Sequence, residues 1–172
     1  MSDYRRVYIP GGTYFFTLVT WNRQPLFDNA DHVAVLRDAI RHVRQQRPFV
    51  MDAIVVLPDH LHTIWRLPEN DADYSGRWRE IKKRVSRIIA PASDAQGERK
   101  CWQRRFWEHQ IVDETDWRLH MDYIHYNPVK HGFAASPGDW SYSSFLKCVE
   151  RGWYDMKWGA GIMPHIEKLN FE

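Results

Sequence analysis

Two cysteines in 172 residues leave little room for thiol chemistry. Cys101 and Cys148 are far apart and belong to no Cys-x-x-Cys pair, which argues against a disulfide framework and a thiolate zinc site. Long apolar runs are missing as well: no stretch reaches the roughly 18 uninterrupted apolar residues that would read as a membrane span. Met1 to Arg6 is polar and basic with no apolar segment behind it, unlike a secretory leader. The expectation is a cytoplasmic protein without a membrane partner.

A net charge of +2 says little until it is divided along the chain. From Arg77 to Arg105 there are ten Lys or Arg against three acids, a local excess of +7 that leaves −5 for the remainder. Such segregation lets a nearly neutral protein present a phosphate-binding face. Hydrophobic residues make up 44% and charged residues 27%, enough apolar material for one compact core. Nine Trp and eight Tyr are more than a core of this size ordinarily needs, and exposed rings of this kind are surfaces on which unpaired bases stack.

Thr13 to Trp21 is β-branched and aromatic, follows Pro10-Gly-Gly12, and reads as a strand entered from a turn. Val33, Leu36, Ile40 and Val43 recur at spacings of three and four and predict an amphipathic helix from Asn29 to Gln46. Phe49 to Leu57 and His60 to Leu67 form a predicted hairpin around Pro58-Asp59. Helical spacing returns from Tyr74 to Ala90, where Pro91 would stop it, and a polar connector runs from Ala92 to Lys100. Arg105 to Val112 reads as a short strand, and a third helix is predicted from Glu114 to Tyr126, ended by Asn127-Pro128. Trp140 to Glu150 has helical potential. This order predicts an α+β domain over residues 1–150, an antiparallel sheet with helices packed on one face, followed by an unassigned tail, 151–172.

The residues that carry chemistry fall in two places. His60 and His62 are two apart on a predicted strand, so both imidazoles point to one face and would reach one ion, while Leu61 faces the other way. On the third helix Tyr123 and Asn127 are four apart, which projects a phenol and an amide from one side; Tyr126 offers an equally available phenol. Two imidazoles and an amide oxygen would hold a divalent ion such as Mg or Mn and leave positions open to a phosphate oxygen.

Pro10-Gly-Gly-Thr-Tyr-Phe-Phe-Thr17, Leu57-Pro-Asp-His-Leu-His62, Phe106-Trp-Glu-His109 and Asp122-Tyr-Ile-His-Tyr-Asn-Pro-Val-Lys-His-Gly132, with Trp140-Ser-Tyr-Ser-Ser144 as a weaker block, resemble the REP-associated tyrosine transposases. These belong to the single-tyrosine HUH nucleases. The resemblance implies a ferredoxin-like palm. It matches His60 and His62 to the paired metal ligands, Asn127 to the third ligand, and Tyr123 rather than Tyr126 to the nucleophile. Insertion-sequence relatives often carry Gln where this chain has the shorter Asn127. It also implies the substrate, single-stranded DNA beside an imperfect hairpin from a repetitive extragenic palindrome (REP), cut through a 5′-phosphotyrosine. A monomer is expected, with a dimer, the state of insertion-sequence relatives, as the alternative.

Arg79, Lys83 and Arg87 form a row on the second helix, and with Arg104 and Arg105 they are the candidate phosphate contacts. Two competing functions stand beside the nuclease: a module that binds structured DNA or RNA without cutting it, and a metal hydrolase in which water attacks and Tyr123 is structural.

Overall fold

The protein is described by a computed structural model that covers residues 6–90 and 100–171. Its frame is β1 (Thr13–Val19), α1 (Ala30–Gln46), β2 (Val50–Val56), β3 (His60–Arg66), α2 (Tyr74–Ile89) and β4 (Trp107–Gln110). The strands form one sheet in the order β2-β3-β1-β4 with every neighbouring pair antiparallel. Two β-α-β halves interleaved in this way are the ferredoxin-like arrangement. After β4 come α3 (Glu114–Lys130), α4 (Phe145–Glu150) and the single turn α5 (Pro164–Glu167).

The α+β class and the antiparallel sheet agree with the sequence reading, but the helices do not share one face. Tyr14, Phe16, Leu18, Leu61 and Trp65 pack under α1 and α2, whereas Phe15, Ala53, Val55 and Ile64 pack under α3. The cause lies in β1 itself. Tyr14 through Leu18 are all buried, so this central strand is covered on both sides and carries a continuous aromatic run where a half-exposed strand would alternate with polar residues. Residues 140–145 run beside β2 and cover its outer edge: Ser143 bridges Val55, Ser144 N–H donates to the Ile54 carbonyl, and Trp140 Nε1–H donates to the Val56 carbonyl at 3.0 Å.

α1 starts at Asn29, whose side chain accepts from Asp31 N–H, and α2 at Asp73, which accepts from Gly76 N–H. α2 ends at Ile89 with Ala90 as its cap; Pro91 and most of the expected connector lie outside the described residues.

The end of α3 differs from the expectation. The helix runs through Asn127-Pro128 to Lys130. Pro128 removes only the hydrogen bond that its own nitrogen would have made, and the chain stops one turn later at Gly132, whose φ of +73° suits glycine. There Phe133 N–H donates to the Pro128 carbonyl and Gly132 N–H to that of Val129, the paired bonds of a Schellman stop. The extra turn brings Lys130 and His131 onto the same element as Tyr123. α3 is buried almost all round from His120 to Pro128 because the sheet lies on one side and Tyr154, Trp158, Met163, Ile166 and Leu169 pack on the other. Trp117 Nε1–H also donates to Asp52 at 2.9 Å, pinning the start of α3 to the irregularity in β2.

Arg77, one of the ten basic residues of the charged segment, is not part of a surface. Its guanidinium is buried and donates to both carboxylate oxygens of Asp71 and to the carbonyls of Arg47, Pro48 and Asp73. Removing it leaves those acceptors without their donor. Arg77→Ala is expected to lower unfolding free energy by roughly 2–4 kcal/mol, against within about 0.5 kcal/mol for the exposed neighbour in Arg79→Ala. Denaturant unfolding of both variants checks this, and equal stabilities would contradict it. Among the described residues no helix is long and apolar enough to cross a membrane.

Candidate active site

The pleat of β3 sends Leu61 into the α1–α2 core and turns His60 and His62 toward α3. Both imidazoles are buried, with ring centroids 4.9 Å apart. His62 lies 5.2 Å from the Tyr123 ring, and His60 lies 5.2 Å from His131 at the cap of α3. Tyr123, Asn127 and His131 are successive positions four apart, so they form one stripe down α3. With Tyr123 opposite His62 and His131 opposite His60, Asn127 falls between them, alongside the histidine pair.

The tautomers follow from the hydrogen bonds. Thr17 Oγ1 donates its one proton to the Phe171 carbonyl at 2.6 Å, so at 2.8 Å it accepts from His62 Nδ1–H. His62 Nε2 therefore carries a lone pair, and it is buried with no hydrogen bond among the described residues. His60 Nδ1–H donates to the Asp59 carboxylate at 2.6 Å, which likewise leaves the lone pair on its Nε2. Burial pushes the Asp59 carboxyl up, but the hydrogen bonds from His60 and Arg23 and the charge of Arg23 outweigh it and hold it below the ordinary carboxylate range. His62 is held well below the ordinary imidazole value, first by burial and then by the neighbouring His60, His131, Lys130 and Arg23, which keeps it in the neutral form that binds metals.

Asn127 is the third residue of the expected ligand set. It is fully buried, and neither its side-chain oxygen nor its nitrogen makes a hydrogen bond among the described residues. A buried amide left this way costs on the order of 1–3 kcal/mol per polar group, a cost that a bound ion would offset. Two Nε2 lone pairs and an amide oxygen make a donor set suited to a divalent cation with open positions. A second group lies nearby and was missed from the sequence: His109, Asp116 and His120 have ligand atoms within 4.8 Å of one another. These three are already joined, His109 Nε2 lying 2.8 Å from the Asp116 carboxylate and His120 Nδ1 2.8 Å from the Asp116 carbonyl. Asp116 and His120 are four apart, a helical spacing that the sequence displayed. Thr17, Asp59, Lys130 and His131 were also missed as parts of the site.

The two tyrosines of α3 point to different places. Tyr126 takes up the tail: its hydroxyl lies 2.8 Å from Glu167 and 3.0 Å from the Gly161 carbonyl, and it accepts from Met163 N–H. Tyr123 faces the histidines, with the Lys130 ammonium 4.9 Å from its ring centre. The chain's end covers it. Phe171 N–H donates to Tyr123 Oη at 3.3 Å, and Lys130 Nζ donates to the Leu169 carbonyl.

Arg79, Lys83, Arg87, Arg104 and Arg105 are all exposed. They are not beside Tyr123. The row on α2 lies across the sheet from α3, and Lys82 ties α2 to the second pair by donating to the Gln103 carbonyl at 2.7 Å. Arg104 and Arg105 lead directly into β4, the edge strand whose Trp107 and His109 lie on the Tyr123 side.

This geometry has close counterparts. A family profile described as "Transposase IS200 like", a metal-dependent HUH type, matches residues 10–127. The REP-associated tyrosine transposase of Escherichia coli K12 is 47% identical over 162 residues, covering 94% of this chain and 93% of that protein. A Haemophilus influenzae relative is 41% identical over 168 residues, covering 93% of this chain and 94% of its own length. A solved structure of a REP-associated tyrosine transposase bound to a REP hairpin superposes with a TM-score of 0.82 at 46% identity, covering 95% of this chain and 96% of that one. With the sheet, the helix that bears Tyr123 and the paired histidines all in place, the chain belongs to the IS200-like transposases and, among them, to the REP-associated tyrosine transposases.

Proposed function

We propose that this chain is a cytoplasmic endonuclease and strand transferase for single-stranded DNA, acting beside REP-type hairpins with Tyr123 as its nucleophile. One observation carries the reading: the Tyr123 ring sits 5.2 Å from His62, an imidazole whose Nε2 lone pair is kept available by the bond between its Nδ1 and Thr17. The hairpin enters through the solved relative, which is bound to one.

Tyr123 Oη attacks the phosphorus of the scissile phosphodiester, and the bond from phosphorus to the 3′ oxygen breaks. The phenolic proton is lost and the departing oxygen gains one, leaving a 5′-phosphotyrosine and a free 3′-hydroxyl. Attack on the phosphotyrosine by another 3′-hydroxyl reverses the step and returns the phenol. One phosphate ester replaces another, so rejoining needs no ATP. A divalent ion, Mg or Mn, held by His60, His62 and Asn127 would offset charge that develops on the phosphate oxygens. Asp59 and Thr17 hold the two imidazoles in the ligating tautomer. Lys130 keeps a positive charge against the ring on which phenolate character builds.

Arg79, Lys83, Arg87, Arg104 and Arg105 would hold phosphates on the α2 side. The strand would then pass around the exposed β4 edge, from Arg104 and Arg105 to Trp107, and reach Tyr123 on the opposite face.

Incubation with labelled hairpin DNA and Mn or Mg, followed by denaturing electrophoresis, is expected to give a covalent protein–DNA adduct. In Tyr123→Phe the adduct disappears while binding stays within about twofold, because only the nucleophilic oxygen is lost. Cleavage that survives this substitution would assign the attack to water and overturn the reading.

Five phosphate contacts on a single strand predict a slope of log K against log salt of about −3.5, at about −0.7 per contact. Replacing Arg79, Lys83 and Arg87 together by Ala should bring the slope to about −1.4. Affinity indifferent to salt, or an unchanged slope in the triple variant, would remove this surface.

A further inference from the structure

At the cap of α3, the end of the stripe away from Tyr123, a run of aromatic rings leads outward from the histidine pair. His131 lies 5.2 Å from His60, Phe133 follows His131 at 6.2 Å and 30°, and Trp140 follows Phe133 at 5.7 Å and 34°. Tyr142 closes the run, its ring edge-on to Trp140 at 5.8 Å. His131 and Phe133 are exposed, and Trp140 and Tyr142 are half-buried. The reaction above has no use for these rings.

The run is held from below. Trp140 Nε1–H is tied to the Val56 carbonyl, and Val56 N–H donates to the Tyr142 carbonyl at 2.8 Å. Ser136 N–H and Oγ–H both donate to the Asp139 carboxylate, which fixes the turn that leads into Trp140. These bonds account for Trp140 and Tyr142 as cover for the edge of β2. They do not account for Phe133. Its backbone N–H serves the Schellman stop, a task open to any residue but proline, while its ring is 47% exposed and belongs to neither half of the core.

The direction of attack says what would pass over it. In an in-line displacement the attacking and departing oxygens lie on opposite sides of phosphorus. Tyr123 stands opposite His62, so a phosphate held at the histidine pair sends its departing 3′ oxygen toward His60 and His131. We propose that Phe133 and Trp140 form a stacking platform for unpaired bases on the 5′ side of the scissile phosphate, the part of the strand that leaves with the 3′-hydroxyl. The inference rests on Tyr123 being the nucleophile. After cleavage the other part is held by its bond to the tyrosine, whereas this part has no covalent hold. Stacking keeps its 3′-hydroxyl near the phosphotyrosine and so favours rejoining over release. Every base has a ring face, so the platform holds a strand without reading its sequence. The two flanks are then handled at opposite edges of the sheet, one at β4 and the other at β2.

The test places single abasic lesions on either side of the scissile phosphate of a hairpin oligonucleotide, the cleaved position being mapped by the adduct of the unsubstituted enzyme. Binding is measured on the full-length Tyr123→Phe protein, which leaves the strand intact. At least one lesion on the 5′ side should weaken binding by roughly 5- to 100-fold. Adding Phe133→Ala should shrink that penalty to less than about twofold and leave lesions on the 3′ side unchanged, whereas Phe133→Tyr, which keeps the ring, should preserve it. A second readout keeps Tyr123: once the adduct has formed, the labelled fragment that ends in the 3′-hydroxyl should leave the protein several-fold faster in Phe133→Ala. The proposal is overturned if every 5′ lesion is tolerated, if the penalty persists in full without the ring, if Phe133→Tyr loses it as alanine does, or if the fragment leaves both proteins equally fast. An adduct at Tyr123 combined with any of these results removes the platform and keeps the nuclease; no adduct under any metal removes the nuclease, and the platform with it.

Discussion

Two imidazoles offer the same nitrogen to one point in space only if their other nitrogens are held elsewhere, and the site depends on this division. Thr17 and Asp59 hold His62 and His60 by Nδ1 and aim both Nε2 atoms away from β1 and the β2–β3 turn. Strand alternation puts the rings on one face, but alternation alone does not choose a tautomer. The register of β1 against β3, with Thr17 opposite His62, makes that choice. The ring orientations are thus built into the sheet before any ion or DNA is present.

The second requirement is a helix long enough to pass both histidines. Tyr123, Asn127 and His131 span two turns, about 12 Å of rise, while His60 and His62 are about 7 Å apart along an extended strand. A helix ended at Tyr126 would have left Asn127 and His131 to a loop. The Schellman stop at Gly132 keeps them on a rigid element, pinned at its other end by the bond from Trp117 to Asp52. Burial of Tyr123 and Asn127 then secures the helix against the sheet, with Leu169 and Phe171 forming part of the cover.

Much of this was legible in the residues. Apolar spacing located α1 and α2 closely, His-Leu-His required a shared face for the imidazoles, and Tyr123 with Asn127 required a shared face on a helix. Two readings failed for physical reasons. Asn127-Pro128 reads as a stop, yet a proline near a helix end forfeits one hydrogen bond, and the glycine four residues later supplies the real termination. The helices were expected on one face, yet the unbroken aromatic run of β1 was the mark of a strand covered on both. Other features were out of reach. Nothing local in Thr17 or Phe171 marks them as parts of the site around His62 and Tyr123, since only the sheet register and the return of the C-terminal segment bring them there. The charge count was blunter still: it gathered the buried Arg77 with the exposed Arg79, Lys83 and Arg87.

On the proposed function, the two faces of one sheet carry separate tasks, with cations on the α2 side, the reacting groups on the α3 side, and the β4 edge as the passage between them. The central claim is that His60, His62 and Asn127 converge on one ion beside Tyr123. Anomalous diffraction from crystals of the protein loaded with Mn tests it directly. The account predicts one strong peak ligated by Nε2 of both His60 and His62, with the Asn127 side chain and Tyr123 Oη facing it. A peak held by His109, Asp116 and His120 with none at the histidine pair would contradict it.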